Sequence, residues 1–285
     1  MADTGRPLAD NGGIIPMAQP GRKTSPRLLA LRRPLPSWVA HGIAIATCLA
    51  LLILWEITVD LGWTNPIFLP APSTIIATMW DMSVNGNLLP NTGVSIARVA
   101  VAFALSAIMA VPIGIAMSVY RPIGAGLEPV IDFIRYLPVP ALVPLSIIWF
   151  GIGEETKIFL LWLGTFFQLV LMVAQDTDRV PHEYFEIAST LGAKPLEILR
   201  LVAIRAMLPS LVDNLRITLG WCWTYLIIAE IVASNSGLGF VIWTARRFME
   251  TSQVMAGVVM IGIIGLVTDQ LLRRLHKKMF GYMHS

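Results

Sequence analysis

Charged side chains are costly in hydrocarbon, so those standing within or beside apolar runs are the first candidates for chemistry. Here they are Arg98, Glu128, Asp132, Arg135, Asp213, Arg216, Glu230 and Asp269. Asp132 and Arg135 are three residues apart, as are Asp213 and Arg216, a spacing that lets opposite charges meet on one helix face. Local neutralisation accounts for both pairs. Glu230 has no opposite charge nearby in sequence, which leaves a gate, an interhelical contact and interfacial solvation all open. Enzymatic settings are missing: there is no G-x-x-x-x-G-K-[ST] run to cradle phosphates and no G-x-S-x-G nucleophile turn. His41, His182, His276 and His284 are scattered, and Cys48 and Cys222 each sit in an apolar run as small hydrophobes. No cofactor or metal is expected on this chain.

The elements that must position these residues follow from composition. Of 285 residues, 55% are hydrophobic and only 14% charged, with mean hydropathy +0.69. A soluble domain carries about 25% charged residues, so this chain cannot cover a globule of its size with polar surface. Disorder needs the opposite composition. An all-α integral membrane protein remains. Spans of roughly 20 residues cross a hydrocarbon core of about 30 Å, and six apolar stretches qualify, near 38–58, 92–119, 127–151, 157–175, 209–233 and 254–272. Residues 1–37 read as a flexible arm without a secretory signal, 38–275 as the transmembrane domain and 276–285 as a tail.

The net charge of +3 and pI near 9.0 reflect membrane orientation and lipid contact, not nucleic acid. Lys and Arg concentrate in the arm, in 176–208 and in the tail, whereas 59–91 and 152–156 have none. The positive-inside rule then puts both termini and the 176–208 loop in the cytoplasm. Arg246 and Arg247 break this pattern on an outer loop. They read either as a dock for an external protein or as snorkelling side chains. Ser73 is a candidate N-cap for a short outer helix at 74–82.

Pro138, Pro140 and Pro144 cannot all sit in a regular helix interior, since each removes an amide donor. Freed carbonyls at membrane depth are tolerated only in protein or beside water. The third span is therefore expected to break where a pore runs, near Ser146 and Trp149. Candidate pathway residues are Pro140, Pro144, Ser146, Trp149, Gln168, Trp221, Tyr225 and Glu230. Trp221 and Tyr225 share a helix face and Trp223 points away.

The segment 182–208 is too charged to cross. Tyr184, Ile187, Ala188 and Leu191 recur at helix spacing, and Gly192 stands where a helix C-cap favours positive φ. Pro195 falls at the first turn of a second helix. This helix–Gly–helix hairpin either rests on lipid or plugs into a cytoplasmic partner, with Glu183 and Glu186 on its rim and Ala188 and Gly192 permitting close approach.

Glu186-Ile187-Ala188-Ser189-Thr190-Leu191-Gly192, followed by Leu208-Pro209, resembles the E-A-A…G signature of the membrane permease subunits of binding-protein-dependent ABC importers. Two departures are Ile187 for the first Ala and Ile204-Arg205 where many members have an earlier Leu-Pro. Leu137 to Gly153 (LPVPALVPLSIIWFGIG), Ala229-Glu230, Gly237-Leu238-Gly239 and Leu69-Pro70-Ala71-Pro72 are similar to the taurine, alkanesulfonate and nitrate branch. The resemblance spans roughly 40–280. It implies a type I importer (MetI-like) fold with six transmembrane helices per protomer and a cytoplasmic coupling helix carrying Glu183, Glu186, Ala188 and Gly192. It implies a homodimer in the bacterial inner membrane with two cytoplasmic ATPase subunits, which hold ATP and Mg. A periplasmic or lipid-anchored binding protein would dock near Arg246 and Arg247.

The expected function is thus a permease, not an enzyme, forming the pathway for a small solute such as taurine or another sulfonate. A nitrate- or bicarbonate-type anion permease is the nearest alternative. An ion-coupled secondary transporter would need ionisable pairs at the midplane and inverted repeats, and neither is evident.

Overall fold

The computed structural model describes residues 36–280. Most of the expected arm, and tail residues 281–285, lie outside them. All regular structure among the described residues is helical. In order, the elements are α1 (Ser37–Asp60), α2 (Pro72–Val84), α3 (Leu88–Val119), α4 (Arg121–Arg135), α5 (Val139–Phe150), α6 (Glu154–Asp178), α7 (His182–Thr190), α8 (Pro195–Ile198), a π-helical turn (Leu199–Ala203), α9 (Ile204–Ala233), α10 (Leu238–Arg247) and α11 (Thr251–Met279). Contacts divide the chain within α1, into residues 1–51 and 52–285.

Four helices are long and apolar enough to span, namely α1, α3, α6 and α11. A fifth span results if the α4–α5 pair is counted as one, bent by 100°. α9 carries Asp213, Asn214, Arg216, Thr218 and Glu230 and is not among them. The sixfold count expected from sequence therefore stands at four to five by length and apolarity. α11 continues to Met279, into the stretch expected as tail.

The bend in the third span falls at 136–138, between α4 and α5, earlier than the sequence suggested. A residue preceding proline is pushed out of the α region, and Leu137, ahead of Pro138, falls in the break between α4 and α5. Pro138 is extended at the N-cap of α5, and Pro140 stands in its first turn, where a missing amide costs nothing. Pro144, Ser146 and Trp149 then lie inside a continuous α5.

α6 is the central element, packed along α3 on one side and α9 on the other. Close approach to α3 depends on Gly114, where a Cβ would stand 2.6 Å from the Val170 carbonyl oxygen. Ser106 and Thr165 share a buried hydroxyl contact of 2.8 Å across the same interface. Thr165 also donates to the Leu161 carbonyl, so neither hydroxyl is stranded. On α2, Ser73 is not the N-cap. Ala71 holds that position with Pro72 following, and Ser73 instead gives its hydroxyl and amide hydrogens to Glu56, at 2.5 and 3.1 Å.

Candidate translocation site and coupling hairpin

The bend between α4 and α5 opens onto α6 and α9, and a cavity of about 310 Å³ lies there. Gln168 and Gly164 come from α6, and Trp221, Thr224 and Tyr225 from α9, with Arg135 at the C-terminal end of α4. Trp221 and Tyr225 are one helical turn apart and both face the cavity. Trp223 is buried behind them, its indole N–H donating to Thr268 at 3.2 Å. The Tyr225 ring packs against the bare backbone of Gly164, where any Cβ would overlap it. Arg135 is held by Asp132 at 3.0 Å, by the Tyr136 hydroxyl at 3.0 Å, and over the Tyr136 ring at 4.7 Å.

Of the expected pathway residues, the cavity gathers Gln168, Trp221 and Tyr225. Pro140, Pro144 and Trp149 are exposed on α5 away from its lining. Ser146 and Glu230 are each 0% exposed and turned to protein partners. Ser146 donates to the Leu142 carbonyl at 2.8 Å, an ordinary back-bond within its own helix. Neither lines the cavity, which corrects the expectation for both.

Glu230 belongs to a different construction. Its carboxylate accepts from Arg98 at 2.7 Å, from the Ser95 hydroxyl at 2.8 Å and from the Gly239 amide at 2.7 Å. Ser95 in turn accepts from the Leu238 amide at 2.8 Å. At the start of α10 the Gly239 amide therefore donates directly to a carboxylate and the Leu238 amide reaches it through the Ser95 hydroxyl, an arrangement that helix N-termini favour. Gly237, with φ of +105°, makes the turn, and a Cβ there would overlap the carboxylate. Arg98 also grips Glu154 through two parallel contacts of 2.6 Å and donates to the Ser236 carbonyl at 2.7 Å. Lys157 adds a second cation to Glu154 at 2.7 Å. Two cations and two anions thus tie α3, α6, α9 and the start of α10 together, with no net charge. This settles Glu230 as an interhelical contact. The resemblance noted its motif but not its partner, because the partner is 132 residues away.

At the other end of the long helices, α7 closes on Gly192 with φ of +81°. Ala193 N–H bonds the Ala188 carbonyl at 3.1 Å and Gly192 N–H the Ser189 carbonyl at 3.0 Å, which together form a Schellman cap. The Glu197 carboxylate accepts from the Lys194 amide at 2.8 Å, completing the N3 half of a capping box for α8. Between α7 and the helix that follows lies an open apolar groove of about 480 Å³. Tyr184, Ile187, Ala188 and Leu191 line one wall, and Leu201 and Val202 the other. Glu183, Glu186 and Gly192 are exposed beside it. α8 runs through the π-helical turn directly into α9, with Ile204 N–H bonded to the Leu199 carbonyl. Arg246 and Arg247 are exposed at the C-terminal end of α10, Arg246 lying 5.0 Å from the centre of the Trp243 ring.

Residues 102–281 match the family profile of the binding-protein-dependent transport system inner membrane component. The chain belongs to this family. It is an inner-membrane, multi-pass permease subunit of an ABC importer, in systems that also comprise a separate ATPase and a solute-binding protein. It is 32% identical over 235 residues to a putative aliphatic sulfonates transport permease, SsuC, of Bacillus subtilis, covering 82% of this chain and 85% of that one. It is 31% identical over 262 residues to the taurine transport permease TauC of Escherichia coli, covering 90% and 94%. The bicarbonate transport permease CmpB of Synechococcus elongatus is 28% identical over 247 residues, covering 82% and 88%. Among solved structures, an inward-facing MetNI methionine ABC transporter superposes with a TM-score of 0.55 at 22% identity, covering 66% of this chain and 95% of that one. That likeness establishes the fold.

Proposed function

We propose that this permease forms the path for a small organic sulfonate such as taurine, handed over by a periplasmic or lipid-anchored binding protein. It acts as a homodimer between two cytoplasmic ATPase subunits, which carry the ATP and Mg. The termini and the α7–α8 hairpin face the cytoplasm, and Arg246 and Arg247 meet the binding protein on the outer side.

The observation that carries the reading is the hairpin. Its groove exposes Ile187 and Leu191 at 59% and 82%, and its charged rim keeps it out of the hydrocarbon. An apolar groove framed by carboxylates suits another protein better than lipid, and Glu183, Glu186, Ala188 and Gly192 lie where an ATPase surface would meet it. α8 passes into α9 without a loop, so displacement of the hairpin is delivered to the helix bearing Trp221 and Tyr225. ATP-driven closure of the ATPase pair then favours the state open toward the binding protein, a shift set by differential binding to two states. Support for the sulfonate comes from the SsuC and TauC relatives. CmpB supports a second reading, an inorganic oxyanion such as bicarbonate.

The test is reconstitution with the cognate ATPase and binding protein. Labelled taurine should enter proteoliposomes only with ATP and the binding protein present. Uptake of bicarbonate but not taurine favours the second reading, and ion-gradient-driven uptake without nucleotide refutes both.

A further inference from the structure

We propose that the cavity at the α4–α5 bend is an oxyanion-recognition site within the permease itself, with Arg135 supplying the charge. The inference rests on the sulfonate-importer reading and adds that this chain, and not only the binding protein, selects the solute.

The cavity has the makings of a small-ligand site. Its volume of about 310 Å³ falls at the lower end of the range of roughly 300–1,000 Å³ usual for such sites. Its composition is also of that kind, mostly apolar and aromatic wall with a few converging polar groups. Leu163 and Phe167 offer a surface for a short methylene body, while Gln168 and Thr224 present a carboxamide and a hydroxyl. Among the described residues the charged group in the lining is the Arg135 guanidinium, which Asp132 meets at 3.0 Å from outside the lining.

The arginine is positioned before any ligand arrives. Asp132 stands at Nε, the Tyr136 hydroxyl at Nη2 and the Tyr136 ring beneath the guanidinium plane. A guanidinium has five N–H donors in a planar fork, so donors remain beyond those two contacts. A planar fork matches two oxygens of one oxyanion, and a lysine ammonium offers only a point charge. Such an anchor fits a sulfonate or carboxylate head on a short aliphatic body. A neutral molecule of equal size offers the free N–H donors of the fork no paired oxyanion acceptors.

Location gives the site its role. Trp221, Thr224 and Tyr225 stand on α9, the helix continuous with the hairpin, while Gln168 stands on α6 and Arg135 at a 100° bend. Relative movement of α9 and α6 therefore changes the shape of the site, and anion affinity is coupled to the state of the hairpin.

The experiment is equilibrium binding of labelled ethanesulfonate to the purified permease–ATPase complex, without binding protein, alongside ATP-driven uptake in the full system. The wild-type complex should bind saturably, with competition by taurine and none by an equal concentration of propanol. Arg135→Gln should weaken binding at least tenfold, and Arg135→Lys less. Gln168→Leu should weaken it severalfold. Each variant is first shown to assemble with the ATPase by gel filtration. Absence of saturable binding in the wild type, equal affinity in Arg135→Gln, or competition by propanol overturns the site. Unchanged sulfonate uptake in Arg135→Gln also overturns it, while leaving the importer reading intact. Arg135-dependent binding with no ATP-driven sulfonate uptake sustains the site and removes the importer reading.

Discussion

The Arg98 guanidinium lies 2.7 Å from the Glu230 carboxylate, across 132 residues of sequence, and the two side chains are 3% and 0% exposed. Removing one member of a buried ion pair strands the other, at a cost of about 3–5 kcal/mol. Arg98→Met and Glu230→Ala should therefore lower the unfolding temperature of the detergent-purified protein sharply. Glu230→Gln keeps an acceptor for Ser95 and Gly239 and should lose less. Glu154 has its side chain 54% exposed, so water can replace part of its contact with the buried Arg98 and Lys157, and Glu154→Ala should cost less than Glu230→Ala. Equal losses for Glu230→Ala and Glu154→Ala, read by thermal-shift gel filtration, would contradict this ranking.

Gly192 ends α7 in the left-handed region at φ of +81°. A β-branched residue there carries a conformational penalty of roughly 1–2 kcal/mol, whereas asparagine tolerates the region better. Gly192→Val and Glu186→Lys should abolish uptake while membrane insertion persists, and Gly192→Asn should keep partial uptake. Co-purification of the ATPase separates loss of docking from loss of the permease. Normal uptake in both severe variants removes the hairpin from the coupling route.

The π-helical turn at Leu199–Ala203 sets the rotational phase between the hairpin groove and α9. One residue accounts for about 100° of helix rotation. Deleting the exposed Arg200 should leave a folded, membrane-inserted protein that no longer retains the ATPase on a column. Arg200→Ala, which keeps the phase, should retain it. Retention by the deletion variant would show that the phase is unimportant.

Gly114 and Gly262 form a matched pair for the packing argument. A Cβ at Gly114 meets the Val170 backbone, while at Gly262 nothing lies within 4 Å. Gly114→Leu should cost about 1–3 kcal/mol or more through overpacking. Gly262→Ala should be neutral or slightly stabilising, since alanine is the better helix former. Thermal unfolding of the two variants side by side checks the contrast.

What could be read from the residues alone was local. The periodicity of Tyr184, Ile187, Ala188 and Leu191 with Gly192 behind it placed α7 and its cap correctly, because both depend on neighbours within a turn. The pairing of Asp132 with Arg135 was legible for the same reason. The break in the third span was legible in kind and not in place, since it falls at Leu137 ahead of Pro138, while Pro140 stands in the first turn of α5 and Pro144 is accommodated within it. Ser73 was misassigned because Pro72 already opens α2 and Glu56 competes for the hydroxyl. The partner of Glu230 could not be found by spacing, because it is a product of how α3, α6 and α9 pack.

The charge cluster also governs how the chain is made. Arg98 leaves the ribosome long before Glu154 or Glu230, so α3 first reaches the bilayer with a cation that has no counter-ion. A lone arginine at a span's centre costs about 2.5–3.5 kcal/mol on insertion scales, and Arg98 lies eleven residues into a helix of 32. The expected order of biogenesis is therefore that α3 enters provisionally, α6 brings Glu154, and only the arrival of α9 with Glu230 completes the cluster around Arg98.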